Sequence, residues 1–186
     1  SSFTSVTASG VVLHASVDMQ AQSSYEIATF EDEALVNGQT YYAAVTAADE
    51  GGNEKKTGLS PASAVPRDNI PPDRIENVQV TDKSGDDDGT VVVTWDATLD
   101  TGHDHYNVYV AQVKIFDVLA MDPAATVSGR YNTTAEVSKV GDLTMESGKT
   151  YYFIVTSVDK DGNELKEGLN PVEGGPIDDV PPSKVS

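Results

Sequence analysis

Residues 38–72 of this chain recur 110 positions later without a gap. Gly148-Lys149-Thr150-Tyr151-Tyr152-Phe153-Ile154-Val155-Thr156 repeats Gly38-Gln39-Thr40-Tyr41-Tyr42-Ala43-Ala44-Val45-Thr46. Further on, Asp159, Gly162, Asn163, Glu164, Gly168, Leu169, Pro171 and Pro181-Pro182 repeat Asp49, Gly52, Asn53, Glu54, Gly58, Leu59, Pro61 and Pro71-Pro72. About half of the residues in the window are identical to their partners, which chance does not give. The period is the length of one small all-β domain, so the chain reads as consecutive modules of one kind. A string of like modules argues for binding or spacing and says nothing of what is bound.

Each repeating unit is long enough to bury a core of its own. Thirty acidic against twelve basic residues give a net charge of −18. Such a surface repels phosphate backbones and anionic lipid, which argues against nucleic-acid or membrane-surface partners, and its self-repulsion is screened in a saline medium. The sequence contains no run of eighteen apolar residues, so membrane insertion is not expected. Cysteine is absent, which removes disulfides, thiolate metal sites and thiol nucleophiles. Ser1 to Gly10 lack the basic start and apolar centre of a signal peptide; the expectation is a window cut from a longer secreted or cell-surface protein, with any signal upstream.

In chain order, Val11-Val12-Leu13 and the alternating Tyr25 to Phe30 are predicted strands, and Asn37-Gly38 a turn. Tyr41, Ala43, Val45 and Ala47 then share one face of a strand with one side on a core. Asp49 to Glu54 has turn chemistry, and a further strand is expected through Leu59 and Ala62. Adjacent prolines at 71 and 72 hold the backbone extended, so 69–73 reads as a short stiff linker between 1–68 and 74–177. In the second unit the predicted strands are A at Ile75 to Val80, B at Val91 to Trp95 and C around Tyr106 to Val110. E follows at Thr133 to Val140, F at Thr150 to Val158 and G at Glu164 to Val172. Ile115 to Met121 is expected as one helical turn or an irregular crossing, and 178–186 restart the linker and open a third unit.

A Trp closing strand B, Tyr-x-Val-x-Val on strand C, and Leu-x-x-x-x-Gly-x-x-Tyr entering strand F are carried here by Trp95, Tyr106, Val108, Val110, Leu143, Gly148 and Tyr151. Together they resemble the fibronectin type III family of immunoglobulin-like β-sandwiches, over 74–176 in full and over 1–66 in its later half. The resemblance implies an all-β fold of tandem seven-stranded Greek-key sandwiches, the first one incomplete, used extracellularly as spacers or recognition modules and without catalysis. It also implies that Tyr151 and Tyr41 are corner tyrosines whose hydroxyls bond back to nearby backbone. The spacing from Leu143 to Gly148 exceeds the family's by one, so an irregular loop is expected before strand F. The first unit has no counterpart of Val91 to Trp95 or of Tyr106 to Val110, which leaves strand F without its neighbour. Upstream residues, or another chain associating through this incomplete module, are expected to cover it.

Candidate sites each have a plainer reading. Asp159, Asp161 and Asn163 place oxygens as in part of a calcium loop, yet the first-unit copy loses the middle carboxylate, and Asp-Gly-Asn suits a hairpin. Asp68, Asp178 and Asp179 stand at module junctions, where a cation could stiffen the joint. Asp82, Asp86, Asp87 and Asp88 read as a solvated acidic loop. His103 and His105, with only His14 elsewhere, cannot complete a zinc set and read as an exposed loop. Asn132-Thr133-Thr134 fits a glycosylation acceptor at the start of a strand. No nucleophile elbow, zinc helix or phosphate loop is present, so no catalytic, cofactor or metal residue is assigned. The expected role is structural or adhesive, with an unknown protein or glycan as ligand. The alternative is an accessory, carbohydrate-binding segment of a secreted polysaccharide-degrading enzyme, with Tyr42, Tyr109 and Tyr152 as its outward rings.

Overall fold

Alternation of apolar with polar side chains gives way, around Phe153-Ile154-Val155, to an unbroken apolar run. A strand of that kind is buried on both faces, and the larger half of the molecule is arranged around it. The computed structural model describes residues 11–13, 15–16, 24–31, 33–86 and 89–181. The chain divides into two units, Ser1–Asp68 and Asn69–Ser186. All regular structure in both is β, with no helix among the described residues.

The first unit holds β1 (Thr29–Phe30), β2 (Glu33–Ala34), β3 (Tyr41–Ala43) and β4 (Ala62–Ala64), paired as two antiparallel hairpins, β1 with β2 and β3 with β4. The second holds β5 (Gln79–Asp82), β6 (Val91–Thr94), β7 (His103–Ala111), β8 (Ala125–Ser128) and β9 (Thr134–Val137). It continues with β10 (Lys139–Val140), β11 (Leu143–Thr144), β12 (Tyr151–Asp159) and β13 (Val172–Gly174). One antiparallel sheet runs β5-β6-β9 and another β13-β12-β7-β8; β10 and β11 form a separate hairpin around Gly141, whose φ of 59° is the first-position conformation of a tight two-residue turn.

The two larger sheets share one core. Val91 and Val93 from β6 and Ala135 and Val137 from β9 meet Tyr106, Val108 and Val110 from β7 and Tyr151, Phe153 and Val155 from β12. Trp95 closes one end, packed edge-on against Tyr106 with ring centroids 5.3 Å apart. The hydroxyl of Tyr106 accepts the Thr98 N–H at 2.9 Å and donates to the Arg130 carbonyl at 2.7 Å, which ties together two loops. The outer face of β7 and β12 has a second, smaller core of Tyr109, Ile154, Val118 and Leu169. Val118 brings the irregular 112–122 connection over the sheet, and backbone bonds from Val118 N to Lys166 O and from Leu169 N to Phe116 O hold it there.

The period of 110 governs the backbone as well as the sequence. Thr29 pairs with Ala34 as Lys139 pairs with Thr144, and Tyr41 pairs with Ala64 as Tyr151 pairs with Gly174. The isolated bridge Ala48 to Glu54 answers Val158 to Glu164. Gly38 N bonds Pro66 O as Gly148 N bonds Pro176 O, both at 2.9 Å. Burial does not follow. No described residue of the first unit is buried, whereas Val155, at 4% exposed, has its counterpart in Val45 at 95%. The side chains of a half core are present, and no opposing sheet stands over them among the described residues.

Several expectations are corrected. Val11 to Leu13 form no strand, Tyr25 to Phe30 contributes only Thr29–Phe30, and the strand from Tyr41 ends at Ala43 with no face on a core. Leu59 lies outside β4. Strand A is shorter than expected, E is interrupted at Ser138, and G is confined to Val172–Gly174 after the single bridge at Glu164. The largest correction concerns Leu143, which is 66% exposed, while Met145 is 3% exposed and lies in the core. Met145 is therefore the apolar anchor ahead of Gly148, two residues nearer to it than Leu143. The repeat carried that signal, because Met145 aligns with Leu35 and Leu143 with Glu33.

Met145→Ala should destabilise the second unit by about 2–5 kcal/mol, and Leu143→Ala by less than about 0.5 kcal/mol. Urea unfolding followed by Trp95 fluorescence measures both; equal losses would return the anchor to Leu143. Trp95→Ala should cost about 3–5 kcal/mol on the same scale, a large part of a domain's stability.

Candidate functional site

The most chemically dense region is the repeated hairpin loop after β12 and the carboxylate that follows it. Asp159 Oδ1 accepts the backbone N–H groups of Asp161 (2.9 Å) and Asn163 (2.8 Å), and Oδ2 accepts the Asn163 amide at 2.8 Å. In the first unit Asp49 accepts the Asn53 N–H at 2.8 Å and its amide at 3.1 and 2.8 Å. Gly162 and Gly52, at φ of 86° and 77°, take the left-handed conformation that closes the turn. Burial by itself raises the Asp159 pKa, but the bonds from Asn163, Asp161 and Gly162 outweigh it and hold the carboxyl below its ordinary value. The Asn53 side chain and backbone do the same for Asp49. Both oxygens of Asp159 are engaged by its own turn, and the residues that suggested a calcium loop serve as its internal braces.

Glu164 sits one residue beyond that loop, with its side chain only 5% exposed. Its Oε1 accepts Thr156 Oγ1 (2.5 Å), the Tyr109 hydroxyl (2.8 Å) and the Asn107 amide (3.2 Å), and Lys166 Nζ lies 3.2 Å from Oε2. Burial opposes ionisation here, yet the donors of Thr156, Tyr109, Asn107 and Lys166 together leave the pKa lowered. Desolvation and the facing carboxylate push the Tyr109 phenol up. Sequence reasoning missed this cluster. Its signal was the pair of repeats Thr46/Thr156 and Glu54/Glu164, polar residues kept at equivalent places in a strand and its exit.

His103 corrects another expectation, for it lies in β7 and is 8% exposed. Asp159 pairs with His103 and Val158 with His105, so Asp104 is an extra residue in a β-bulge. The bulge places His103 beside Tyr106 (rings 4.2 Å apart), where its Nδ1 meets Ser157 Oγ at 2.9 Å, while His105 pairs with Asp104 at 2.7 Å. Ser157 and Tyr106 are cross-strand partners on one face, so the histidines do not converge. His14, Asp87 and Asp88 lie outside the described residues. Burial, then the neighbouring His105 charge, lower the His103 pKa against the opposing pull of Asp100 and Asp104.

The remaining candidates are dispersed. Asp82 Oδ1 accepts Ile177 N–H at 2.7 Å and Asp179 Oδ1 accepts Gly85 N–H at 2.9 Å, so this part of the acidic loop is stitched to the closing segment and is more than a solvated loop. Asp178 caps Val180 N–H at 3.1 Å through Oδ1, and Asp68 is partly buried in the first unit. Among the described residues no group of three or more His, Asp or Glu is placed to hold a metal ion. Asn132 is exposed and its amide donates to Ser128 O at 2.7 Å. Of the three rings expected to face outward, Tyr42 is exposed, Tyr152 is partly buried and Tyr109, at 1% exposed, is covered by the 112–122 connection.

The sign of the pH dependence follows from these shifts. A His103 pKa lowered on folding means that the unfolded chain binds the extra proton first, so stability falls as pH drops below about 6.5. Lowered Asp159 and Glu164 pKa values keep their stabilisation above the ordinary carboxylate range, and it is lost as pH falls through the folded values, below about 4. Thermal melts between pH 7.5 and 3 should show two decreases, the first absent in His103→Gln; one decrease unchanged by that substitution would refute the assignment. Asp159→Ala should cost about 1–3 kcal/mol with or without added calcium.

No protein-family model matches this chain, and no curated protein matches it. Among solved structures, the Clostridium perfringens spore cortex lytic enzyme SleM is similar at a TM-score of 0.42 and 15% identity. The similarity covers 75% of this chain and 38% of that one.

Proposed function

We propose that this chain is a run of non-catalytic, fibronectin type III-like Greek-key modules, the first incomplete, which acts as a structural or adhesive part of a larger secreted or cell-surface protein. In support of this reading, the antiparallel orders β5-β6-β9 and β13-β12-β7-β8 suit strands A-B-E and G-F-C with a further edge strand. The hydroxyl of Tyr151 accepts Glu146 N–H at 2.8 Å, and that of Tyr41 accepts Val36 N–H at 3.0 Å, both five residues back. These bonds suit the corner role.

The observation that carries the functional part is where the repeated polar residues are used. Asp159, Asn163, Thr156 and Glu164 spend their hydrogen-bonding capacity on the fold itself, and the recurrence of these side chains is accounted for by architecture. Loss of Tyr109 from the surface weighs against a three-ring carbohydrate platform. Sedimentation of the full chain with insoluble cellulose, chitin or peptidoglycan should leave it in the supernatant. Retention that is abolished by Tyr152→Ala would favour the accessory carbohydrate-binding reading instead.

A further inference from the structure

We propose that Lys166 and Asn107 become joined by an intramolecular isopeptide bond, formed on the Glu164 carboxylate with loss of ammonia. The inference stands on the second unit alone and does not require the family resemblance. One carboxylate holds both reacting groups. Lys166 Nζ lies 3.2 Å from Glu164 Oε2, and Asn107 Nδ2 donates to Glu164 Oε1 at 3.2 Å. On its other side the Asn107 carboxamide accepts the Thr126 hydroxyl through Oδ1 at 3.0 Å. Asn107 is 8% exposed and the Glu164 side chain 5%. Lys166 is pinned as well, since its carbonyl accepts Val118 N–H at 2.9 Å from the connection that covers this face. Nucleophile, proton carrier, electrophile and a donor on the carbonyl oxygen therefore meet in one place, contributed by β7, β8 and the segment after β12. The amine and carboxylate also recur in the first unit, where Lys56 lies 3.7 Å from Glu54.

The step balances without an oxidant or a cofactor. Where water is largely excluded, transfer of a proton from the Lys166 ammonium to the Glu164 carboxylate exchanges two charges for two neutral groups and frees the amine lone pair. Nζ then attacks Asn107 Cγ, and the Thr126 hydroxyl supports the charge that develops on Oδ1. The new C–N bond forms and the bond from Cγ to Nδ2 breaks. The departing nitrogen leaves as ammonium with both protons that the lysine nitrogen gives up, so Glu164 ends as it began. Amine and carboxamide held on one carboxylate gain the proximity that makes amide exchange unimolecular. The product ties β7 to the segment after β12 and closes a long loop, the constraint that a disulfide imposes elsewhere, in a chain without cysteine. The reaction runs once, on the protein's own side chains, and is compatible with a structural module that turns over no substrate.

Intact mass spectrometry of the full chain, after overnight incubation at neutral pH, should read below the mass calculated from its sequence by one ammonia. Proteolytic digestion should release a branched peptide that links Asn107 to Lys166, which separates this bond from a succinimide of equal mass loss. Lys166→Arg, which retains a cation for Glu164, and Glu164→Gln should each restore the full mass, and both should melt at a lower temperature than the parent chain. Mass and branched peptide are read on the parent chain, so a variant that fails to fold does not blunt the test. The proposal is overturned by a parent chain at its full calculated mass, by a deficit that survives Lys166→Arg, or by a branch that joins other residues. A deficit that survives Glu164→Gln overturns the role given to the carboxylate.

Discussion

Glu164 is a charged group held almost entirely out of water, and a carboxylate in that position is tolerable only when donors surround it. Thr156 comes from β12 itself, Asn107 and Tyr109 come from β7, and Lys166 comes from the chain just beyond. The carboxylate therefore fixes the lateral position of β7 against β12 at the end of the sheet where the hairpin loop leaves. Tyr109, drawn in by its hydroxyl, presents its ring to Ile154, and the pair makes an apolar floor on what would otherwise be a solvent face. Val118 and Leu169 cover that floor, which is why the 112–122 connection is anchored without regular structure of its own.

The other fixed points are of the same kind, single polar atoms that tie a loop to a strand. Tyr151 holds the approach to β12 through Glu146, Tyr106 bridges Thr98 and Arg130, and Asp159 closes the turn behind it. The first unit has the corner bond, the turn and the threonine–glutamate pair, all formed within its own sequence. Among its described residues no strand takes the place of β7. Comparison of the two units thus separates interactions made within one stretch of chain from those that need a neighbour.

Much of the architecture was legible beforehand, and the reasons are local. Alternation in Val91 to Trp95 and in Tyr106 to Val110 identified strands whose inward residues are in the core. Glycines and Asn at fixed offsets marked the hairpin, and the gapless repeat announced two units with one backbone plan. Strand ends were less accessible, because a residue such as Ile75 or Trp95 can be buried just outside the hydrogen-bonded ladder. The anchor at Met145 was misread because leucine at 143 is the more hydrophobic-looking choice, although the tight turn at Gly141 turns it outward.

The sequence by itself determined the period, the all-β character and the chemistry of the repeated loop, since each depends on residues close together along the chain. Only the tertiary structure decided that Tyr109 is covered, that a bulge at Asp104 parts His103 from His105, and that Glu164 is the most densely bonded carboxylate described. Those facts depend on which strand lies beside which and in what register. Pairing between segments fifty residues apart leaves no periodicity in the sequence from which it could be read.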